Sequence, residues 1–215
     1  MRPETIVVVA GGHSLGGTVP SLPDGATVIA ADGGVDRALA LGLHIDVAIG
    51  DFDSITPEGL AAVEAAGTHI ETHPSEKDET DLELALDAAI ALHPARIVVV
   101  GSSGGRLDHL LGSVLLLGLP RYAGAEIDAF LGTARIHIVR DSRTMVGVPG
   151  ELVSLLPLHG AAEGVTTRGL VYPLSGETLT AGSSRGISNL FAVEAAAVTL
   201  ERGAIAVVRP GKEDL

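Results

Sequence analysis

The first 120 residues alternate strand-like runs with helical patterns, and this alternation limits the folds that the chain can adopt. The helical segments Asp78–Leu92 and Arg106–Leu117 carry apolar residues at i, i+3, i+4 and i+7 spacing. Short runs of apolar or β-branched residues precede and separate these segments: Ile6–Val9, Thr27–Ala30, Val47–Ile49, His69–Glu71 and Arg96–Val100. Strands that alternate with helices predict an α/β domain with a mainly parallel sheet.

The pattern changes after Arg121. Strand-like runs now follow one another at short spacing and no helical stripe of useful length separates them: Glu126–Leu131, Arg135–Val139, Leu152–Leu156, Gly164–Thr167, Phe191–Leu200 and Ile205–Val208. This half predicts an antiparallel sandwich or barrel. We therefore expect two domains, residues 1–121 and 122–215.

Composition narrows the classes of function. The formal net charge is −13, nearly all of it in the first 120 residues, and aromatic residues make up only 2%, which disfavours a nucleic-acid partner. The absence of cysteine excludes disulfides, thiolate metal sites and a cysteine nucleophile. No run has the length of a signal peptide or a membrane span, so we expect a soluble, cytoplasmic protein without a membrane partner.

Two acidic loops follow predicted strands, where parallel sheets place their ligands. One contains Asp32 within Ala31–Gly34, and the other contains Asp51 and Asp53 within Gly50–Ser54. Two carboxylates at i and i+2 in a loop can converge on one Mg²⁺, which prefers oxygen ligands. A solvated turn is the alternative interpretation of the same spacing.

A third acidic segment, Glu76–Glu83, precedes a predicted helix. Thr80 and Glu83 have the spacing of a capping box, so the segment also has a purely structural interpretation as the start of a helix. Lys77 lies among these carboxylates and is one of only two lysines in the chain. A lone lysine there is placed where a phosphate bound through Mg²⁺ would need it.

A glycine-rich loop, Gly101–Gly105, leads from a predicted strand into a predicted helix. Its backbone N–H groups, the helix dipole and Arg106 together favour an anion, although an ordinary strand-to-helix turn has the same composition. The chain has neither a Walker A motif nor a Gly-x-Gly-x-x-Gly fingerprint, which disfavours P-loop kinases and dinucleotide dehydrogenases.

Taken in order, these loops resemble those of the thiamine pyrophosphokinase (thiamine diphosphokinase) family. The resemblance covers nearly the whole chain. Its motifs are Ala-Asp-Gly-Gly at 31–34, Ile-Gly-Asp-Phe-Asp-Ser-Ile at 49–55, Lys-Asp-Glu-Thr-Asp-Leu at 77–82, Gly-Gly-Arg-Leu-Asp-His at 104–109, Arg-Gly-Leu-Val-Tyr-Pro-Leu at 168–174 and Gly-Ile-Ser-Asn at 186–189.

The resemblance implies a Rossmann-like catalytic domain, a C-terminal β-sandwich and a homodimer with substrate sites at the subunit interface. It implies Mg²⁺-dependent transfer of a pyrophosphoryl group from ATP to thiamine. The residues that it assigns to catalysis are Asp32, Asp51, Asp53, Asp81 and Asp108, with Mg²⁺ held by Asp51, Asp53 and Asp81. Those that it assigns to ATP are Lys77, Asp78, Thr80, Gly104, Gly105, Arg106 and Asp108. Those that it assigns to thiamine are Asp32, Asp53, Ser188 and Asn189.

Two other functions share these sequence features. A related pyrophosphokinase acting on another heterocyclic alcohol, such as a pterin, would keep the ATP-site residues and change the environment of Ser188 and Asn189. A non-catalytic nucleotide- or thiamine-binding regulator could keep the fold alone, although every acid that the chemistry needs is present.

Overall fold

The fold is described from a computed structural model, which covers residues 4–12, 22–23 and 25–211. The chain divides into two compact units. Unit 1 contains the stretches Met1–Ser113 and Gly124–Thr133, and unit 2 contains Val114–Ala123 and Ala134–Leu215. The expected division into domains 1–121 and 122–215 stays a prediction.

Unit 1 is built on a parallel sheet. Its strands are β1 (Thr5–Ala10), β2 (Thr27–Ala31), β3 (Val47–Gly50), β4 (His69–Thr72), β5 (Arg96–Gly101) and β6 (Glu126–Leu131). They lie in the order β4-β3-β2-β1-β5-β6, and every pairing is parallel. The expectation of a mainly parallel sheet is confirmed, whereas the narrower description as Rossmann-like is not.

Four helices accompany the strands in the part of the chain that the structure describes: α1 (Gly34–Ala40), α2 (Pro57–Ala66), α3 (Asp81–Ala91) and α4 (Leu107–Leu117). The predicted stripe of α3 is buried through Leu82, Ala85, Leu86 and Ala89. Thr80 is the N-cap of α3, because its hydroxyl accepts a hydrogen bond from the Glu83 N–H at 3.2 Å. None of the described helices has the length and hydropathy needed to cross a membrane.

Helix α4 differs from the expectation for an amphipathic core helix. It forms where predicted, but the side chains of Leu107, Leu111 and Leu115 are 67%, 56% and 49% exposed. These positions are four residues apart, so they lie along one face of the helix. We call this row the α4 leucine face.

Strand β6 corrects a second expectation. Its sequence was grouped with the antiparallel half, but β6 pairs in parallel with β5 and belongs to unit 1. Asp128 of β6 is 1% exposed, and its carboxylate accepts a hydrogen bond from Arg96 Nε of β5 at 2.9 Å. This buried ion pair joins the two strands, and only their pairing brings the residues together.

Unit 2 is an antiparallel β unit. Its strands are β7 (Ala134–Val139), β8 (Ser142–Val146), β9 (Leu152–Arg168), β10 (Glu177–Leu179), β11 (Asn189–Leu190), β12 (Ala195–Thr199) and β13 (Arg202–Arg209). The main order is β7-β13-β9-β12-β8, and β10 and β11 pair with β9. Antiparallel pairing is confirmed, and the sandwich arrangement stays a prediction.

The long strand β9 replaces two predicted strands. Leu152–Leu156 and Gly164–Thr167 were expected to be separate, but they form the two ends of one 17-residue strand. The first end pairs with β13 and the second with β12. The backbone changes direction between them, where His159 has φ 57° and the register with β13 shifts.

Gly34, the first residue of α1, lies directly against the backbone of β1. A Cβ at this position would collide with the carbonyl oxygen of Val9. The start of α1 can therefore approach the sheet only because residue 34 has no side chain.

We expect Gly34→Ala to lower the free energy of unfolding by about 1–3 kcal/mol, because a rigid backbone carbonyl cannot move aside. Gly112→Ala in α4 is the matched control: a Cβ there meets no atom within 4 Å. That change should raise stability by about 0.5–1 kcal/mol. Urea unfolding of both variants measures the difference, and equal effects would contradict the packing.

Candidate active site

Two aspartates converge at the carboxyl ends of β2 and β3. Asp32 follows β2 in a left-handed conformation, φ 44°, and its N–H donates to the carbonyl of Ile49 in β3 at 2.8 Å. Gly50 ends β3, and a Cβ there would lie 3.0 Å from Asp32 Cβ. The side chain of Asp32 therefore packs across the end of β3 beside the loop that carries Asp51.

Asp53 completes a carboxylate trio with these two residues. One oxygen from each of Asp32, Asp51 and Asp53 lies within 4.8 Å of the others. Asp32 and Asp51 are half-buried and Asp53 is exposed. The Asp53 N–H donates to Asp51 Oδ1 at 3.3 Å, and Ser54 Oγ donates to Asp53 Oδ1 at 2.8 Å. Such a group of oxygen ligands can hold a divalent cation.

The environments of the trio separate the pKa values of its members. Burial raises the pKa of Asp32, and the charge of Asp81 adds to the effect. A hydrogen bond from the Ser75 side chain lowers the pKa of Asp51, with a smaller contribution from Lys77. The site therefore combines one carboxylate that resists ionisation with one that favours it.

Lys77 and Asp81 form an ion pair next to this trio. Lys77 Nζ lies 2.9 Å from Asp81 Oδ1, and both side chains are largely shielded from solvent, at 12% and 28% exposure. Burial opposes the charge of Lys77, but the hydrogen bond and charge of Asp81, together with other aspartates, raise its pKa. Among the described residues, Asp81 is thus matched with Lys77 rather than grouped with the trio, and its role as a metal ligand stays a prediction.

The glycine-rich loop carries a second ion pair. Arg106 Nη2 lies 2.6 Å from Asp108 Oδ2, and both side chains are mainly exposed. The Arg106 guanidinium lowers the pKa of Asp108 to about 2. The Gly104 N–H donates to Ser102 Oγ at 3.0 Å, and Gly105 has φ 99°. Asp78 lies in the exposed segment before α3.

Ser188 and Asn189 lie in unit 2, on the wall of a pocket of about 370 Å³. Ser188 is exposed and has φ 60°, whereas Asn189 is only 3% exposed. The volume is at the lower end of the range of roughly 300–1,000 Å³ for small-molecule sites. The pocket is lined by Tyr172, Leu174, Ser183, Ser184, Arg185, Gly186, Ile187, Ser188 and Asn189.

Sequence reasoning assigned no role to Tyr172 or Ser75. Tyr172 is 59% exposed and is the aromatic side chain of the pocket wall. The scarcity of aromatics, two tyrosines and no tryptophan, is the signal that could have drawn attention to it. Ser75 has no such signal, because its hydrogen bond with Asp51 depends on the loops after β3 and β4 being neighbours.

A parallel sheet with converging carboxylates at its carboxyl edge and a glycine-rich strand-to-helix loop is typical of α/β enzymes that act on phosphate compounds. Comparison with known proteins makes this specific. Residues 21–127 match the family model described as "Thiamin pyrophosphokinase, catalytic domain", and residues 133–205 match "Thiamin pyrophosphokinase, vitamin B1 binding domain". The chain belongs to the thiamine pyrophosphokinase family.

Individual relatives agree with the family models. The chain is 31% identical to thiamine pyrophosphokinase of Bacillus subtilis (strain 168), over 96% of this chain and 98% of the relative. The crystal structure of thiamine pyrophosphokinase from Bacillus subtilis is similar with a TM-score of 0.85 and 28% identity, over 97% of this chain and 99% of that one. A thiamin pyrophosphokinase family protein from Enterococcus faecalis has a TM-score of 0.80, 29% identity and the same coverage. These results favour the thiamine reaction over the pterin and regulator alternatives.

Arg106→Met should raise the pKa of Asp108 from about 2 toward that of an ordinary aspartate, since the variant removes the cation that stabilises the carboxylate. A ¹³C NMR titration of the aspartate carboxyls measures the change. Arg202→Met is the control, because Arg202 pairs with Glu163 and should leave Asp108 unchanged. An Asp108 that still titrates near 2 in Arg106→Met would contradict the assigned pair.

Proposed function

We propose that the chain transfers the pyrophosphoryl group of ATP to the hydroxyethyl oxygen of thiamine, giving thiamine diphosphate and AMP. The convergence of Asp32, Asp51 and Asp53 at the carboxyl edge of the sheet carries this proposal. Pyrophosphoryl transfer needs positioning and charge neutralisation rather than a covalent nucleophile. A site rich in acids can act on a triphosphate only when a cation accompanies it.

The proposed cation is Mg²⁺, held by Asp51 and Asp53 together with Asp81, as the resemblance implies, or Asp32. The donor set supports it, because three carboxylate oxygens within 4.8 Å of one another suit a hard cation and repel one another without one. Mg²⁺ would neutralise charge on the phosphates of ATP. The carboxylates would fix its position at the edge of the sheet.

The ATP phosphates are proposed to lie along the loop that contains Gly104, Gly105 and Arg106. Arg106 is exposed, and the structure pairs it with the exposed Asp108, two residues away in the first turn of α4. A phosphate can therefore compete for the guanidinium without the opening of a buried contact. The remaining residues proposed for the ATP site are Lys77, Asp78, Thr80 and Asp108.

The proton of the thiamine hydroxyl needs a base, and the candidates are Asp32, Asp53 and Asp108. Asp108 is the weakest of the three, because its pKa of about 2 makes it a poor proton acceptor. Asp32 and Asp53 stand together in the trio, which is also why both are proposed to lie near thiamine. The proposed base is one of these two.

Thiamine is proposed to bind in the pocket of unit 2, to whose wall Ser188 and Asn189 belong. The support is that both residues lie on the pocket wall, together with the aromatic ring of Tyr172. The family model that covers this region is named for vitamin B1 binding. An aromatic ring beside polar side chains suits a pyrimidine, which has both a π face and hydrogen-bonding edges.

We also propose that unit 1 is Rossmann-like and that the chain forms a homodimer. The cytoplasmic location remains a prediction. The change of direction in strand order at β1, with β2 on one side and β5 on the other, supports a ligand site at that edge. The α4 leucine face supports the dimer, since it is apolar and uncovered in a single chain that carries a net charge of −13.

Asp53→Asn should lower kcat by about 100-fold or more, because it removes charge from the trio that positions the triphosphate. Mass spectrometry of products from ATP, Mg²⁺ and a panel of heterocyclic alcohols measures AMP and the diphosphate product. Glu64→Gln, an exposed change on α2, is the control. Near-normal activity of Asp53→Asn at limiting Mg²⁺ would overturn the metal site, and turnover of a pterin alcohol without turnover of thiamine would overturn the substrate.

Mixed dimers test whether two subunits share each active site. Asp53→Asn and Asn189→Ala subunits, carrying different tags, are combined and the heterodimers purified. At thiamine concentrations well below the KM, the Asp53→Asn homodimer is expected to be inactive and the Asn189→Ala homodimer to keep about a tenth of the normal rate, whereas a shared site predicts that the heterodimer regains one fully active site of two. Verified heterodimers that are no more active than the Asn189→Ala homodimer would place each complete site within one chain.

A further inference from the structure

Asn189 joins the two segments that form the thiamine pocket of unit 2. One segment contains Tyr172 and Leu174, and the other runs from Ser183 to Asn189. The two are brought side by side where β11 pairs with the start of β9 and Leu170 forms a bridge with Phe191. The contacts between these two segments fix their relative position and therefore the shape of the pocket.

The side-chain amide of Asn189 forms hydrogen bonds with the backbone of Tyr172. Asn189 Oδ1 accepts from the Tyr172 N–H at 3.0 Å, and Asn189 Nδ2 donates to the Tyr172 carbonyl at 2.7 Å. The same Oδ1 also accepts from the Leu190 N–H at 2.8 Å. An amide oxygen has two lone pairs, so these bonds use its whole acceptor capacity. Its 3% exposure leaves little access for a ligand.

This geometry requires an asparagine. A residue that bonds both the N–H and the carbonyl of one peptide segment must be an acceptor and a donor at once, which a carboxylate is not. Aspartate would place an oxygen against the Tyr172 carbonyl, and alanine would remove the bonds that the side chain makes to the Tyr172 N–H, the Tyr172 carbonyl and the Leu190 N–H. Asn189 is the only asparagine in the sequence.

Tyr172 is held by its backbone while its ring borders the pocket. Pro173 follows it and restricts its backbone to extended conformations. The next residue is anchored as well, because the Leu174 N–H donates to the buried Thr167 Oγ1 at 2.9 Å. The 59% exposed side chain of Tyr172 therefore projects from a fixed support.

Ser188 has the opposite character. It is exposed, and its backbone N–H donates to Ser154 Oγ at 3.1 Å. Ser188 is part of the pocket wall, where an exposed residue can contact a ligand directly. Two neighbouring residues thus differ in what they can do: Ser188 can contact a ligand, and Asn189 can hold the wall.

We propose that Asn189 is a positioning residue that acts on thiamine through Tyr172, rather than a residue that contacts the pyrimidine itself. The inference rests on the proposed function, since it takes thiamine as the ligand of this pocket. Asn189 fixes the Tyr172 backbone, and the ring of Tyr172 then presents its face to the heterocycle in one orientation.

A double-mutant cycle on thiamine affinity tests the proposal. Asn189→Ala and Tyr172→Ala should each raise the thiamine KM about tenfold, with the ATP KM unchanged and kcat within about twofold. If Asn189 acts through Tyr172, the double variant should be no weaker than Tyr172→Ala alone. Losses that multiply in the double variant would overturn the proposal, because they indicate a separate contact between Asn189 and thiamine.

Tyrosine fluorescence supplies a readout that is independent of turnover. The chain has two tyrosines and no tryptophan, and Tyr122 is fully buried. In a Tyr122→Phe background Tyr172 is the sole strong emitter, and we expect thiamine to quench it. Adding Asn189→Ala should move the midpoint of quenching to about tenfold higher thiamine. An unchanged midpoint would overturn the proposal.

Two controls separate positioning from loss of fold and from failure of the proposed function. Val198→Ala removes a fully buried methyl pair from β12 of the same unit and should lower Tm without changing the thiamine KM.

If Asn189→Ala does not fold, Asn189→Asp takes its place in both measurements with the same two outcomes. If thiamine does not quench Tyr172 fluorescence in the Tyr122→Phe background and the unsubstituted chain does not convert thiamine, the proposed function itself fails. A double-mutant cycle measured with another ligand would not rescue it.

Discussion

Crowding of negative charge at the edge of a parallel sheet is the constraint on which the rest of unit 1 depends. Three carboxylates within 4.8 Å of one another repel, and hydrogen bonds from backbone N–H groups help to hold them there. Asp32 is fixed by its N–H bond to Ile49, and the Asp53 N–H bonds to Asp51. The sheet thus supplies the stability that the site itself lacks.

In the part of the chain that the structure describes, one largely shielded ammonium group lies beside this charge. Lys77 sits beside Asp81, and its pKa is raised even though burial opposes its charge. One lysine balances one carboxylate, which leaves the trio short of positive charge. The proposed divalent cation and triphosphate would match that deficit better than a neutral ligand, because the cation would offset the charge of the carboxylates and the phosphates would pair with Lys77 and Arg106.

The sequence predicts those parts of the fold whose signal is local. The strands β1 to β5 and helix α3 follow from runs and periodicities, and the Thr80 cap follows from its spacing to Glu83. Helix α1 was missed because seven residues of small and mixed side chains carry no clear stripe. The parallel pairing of β6 and the continuity of β9 were missed because strand partners are decided by the whole fold.

The same distinction applies to the candidate site. Asp51 and Asp53 are neighbours in sequence, so their grouping was predictable. The addition of Asp32 depends on the pairing of β2 with β3, across which a carboxylate some 20 residues away becomes a neighbour. The tie between Asn189 and Tyr172 spans 17 residues and is visible only in the folded chain. Short motifs predicted the candidate residues, and the structure adds the contacts of Asp32, Asp51 and Asn189 that depend on the fold.

Backbone strain points to the same two places. Among the described residues, five other than glycine have positive φ: two of them, Asp32 and Ser188, are candidate site residues, and a third, Phe52, lies between two others. Each such residue costs free energy of order 1–3 kcal/mol and persists only where its surroundings fix it. Phe52 separates the two loop carboxylates, and Ser188 precedes the buried amide of Asn189. Glycine at these turns would avoid this cost, but at positions 32 and 188 it would also remove a carboxylate of the trio and a side chain of the pocket wall.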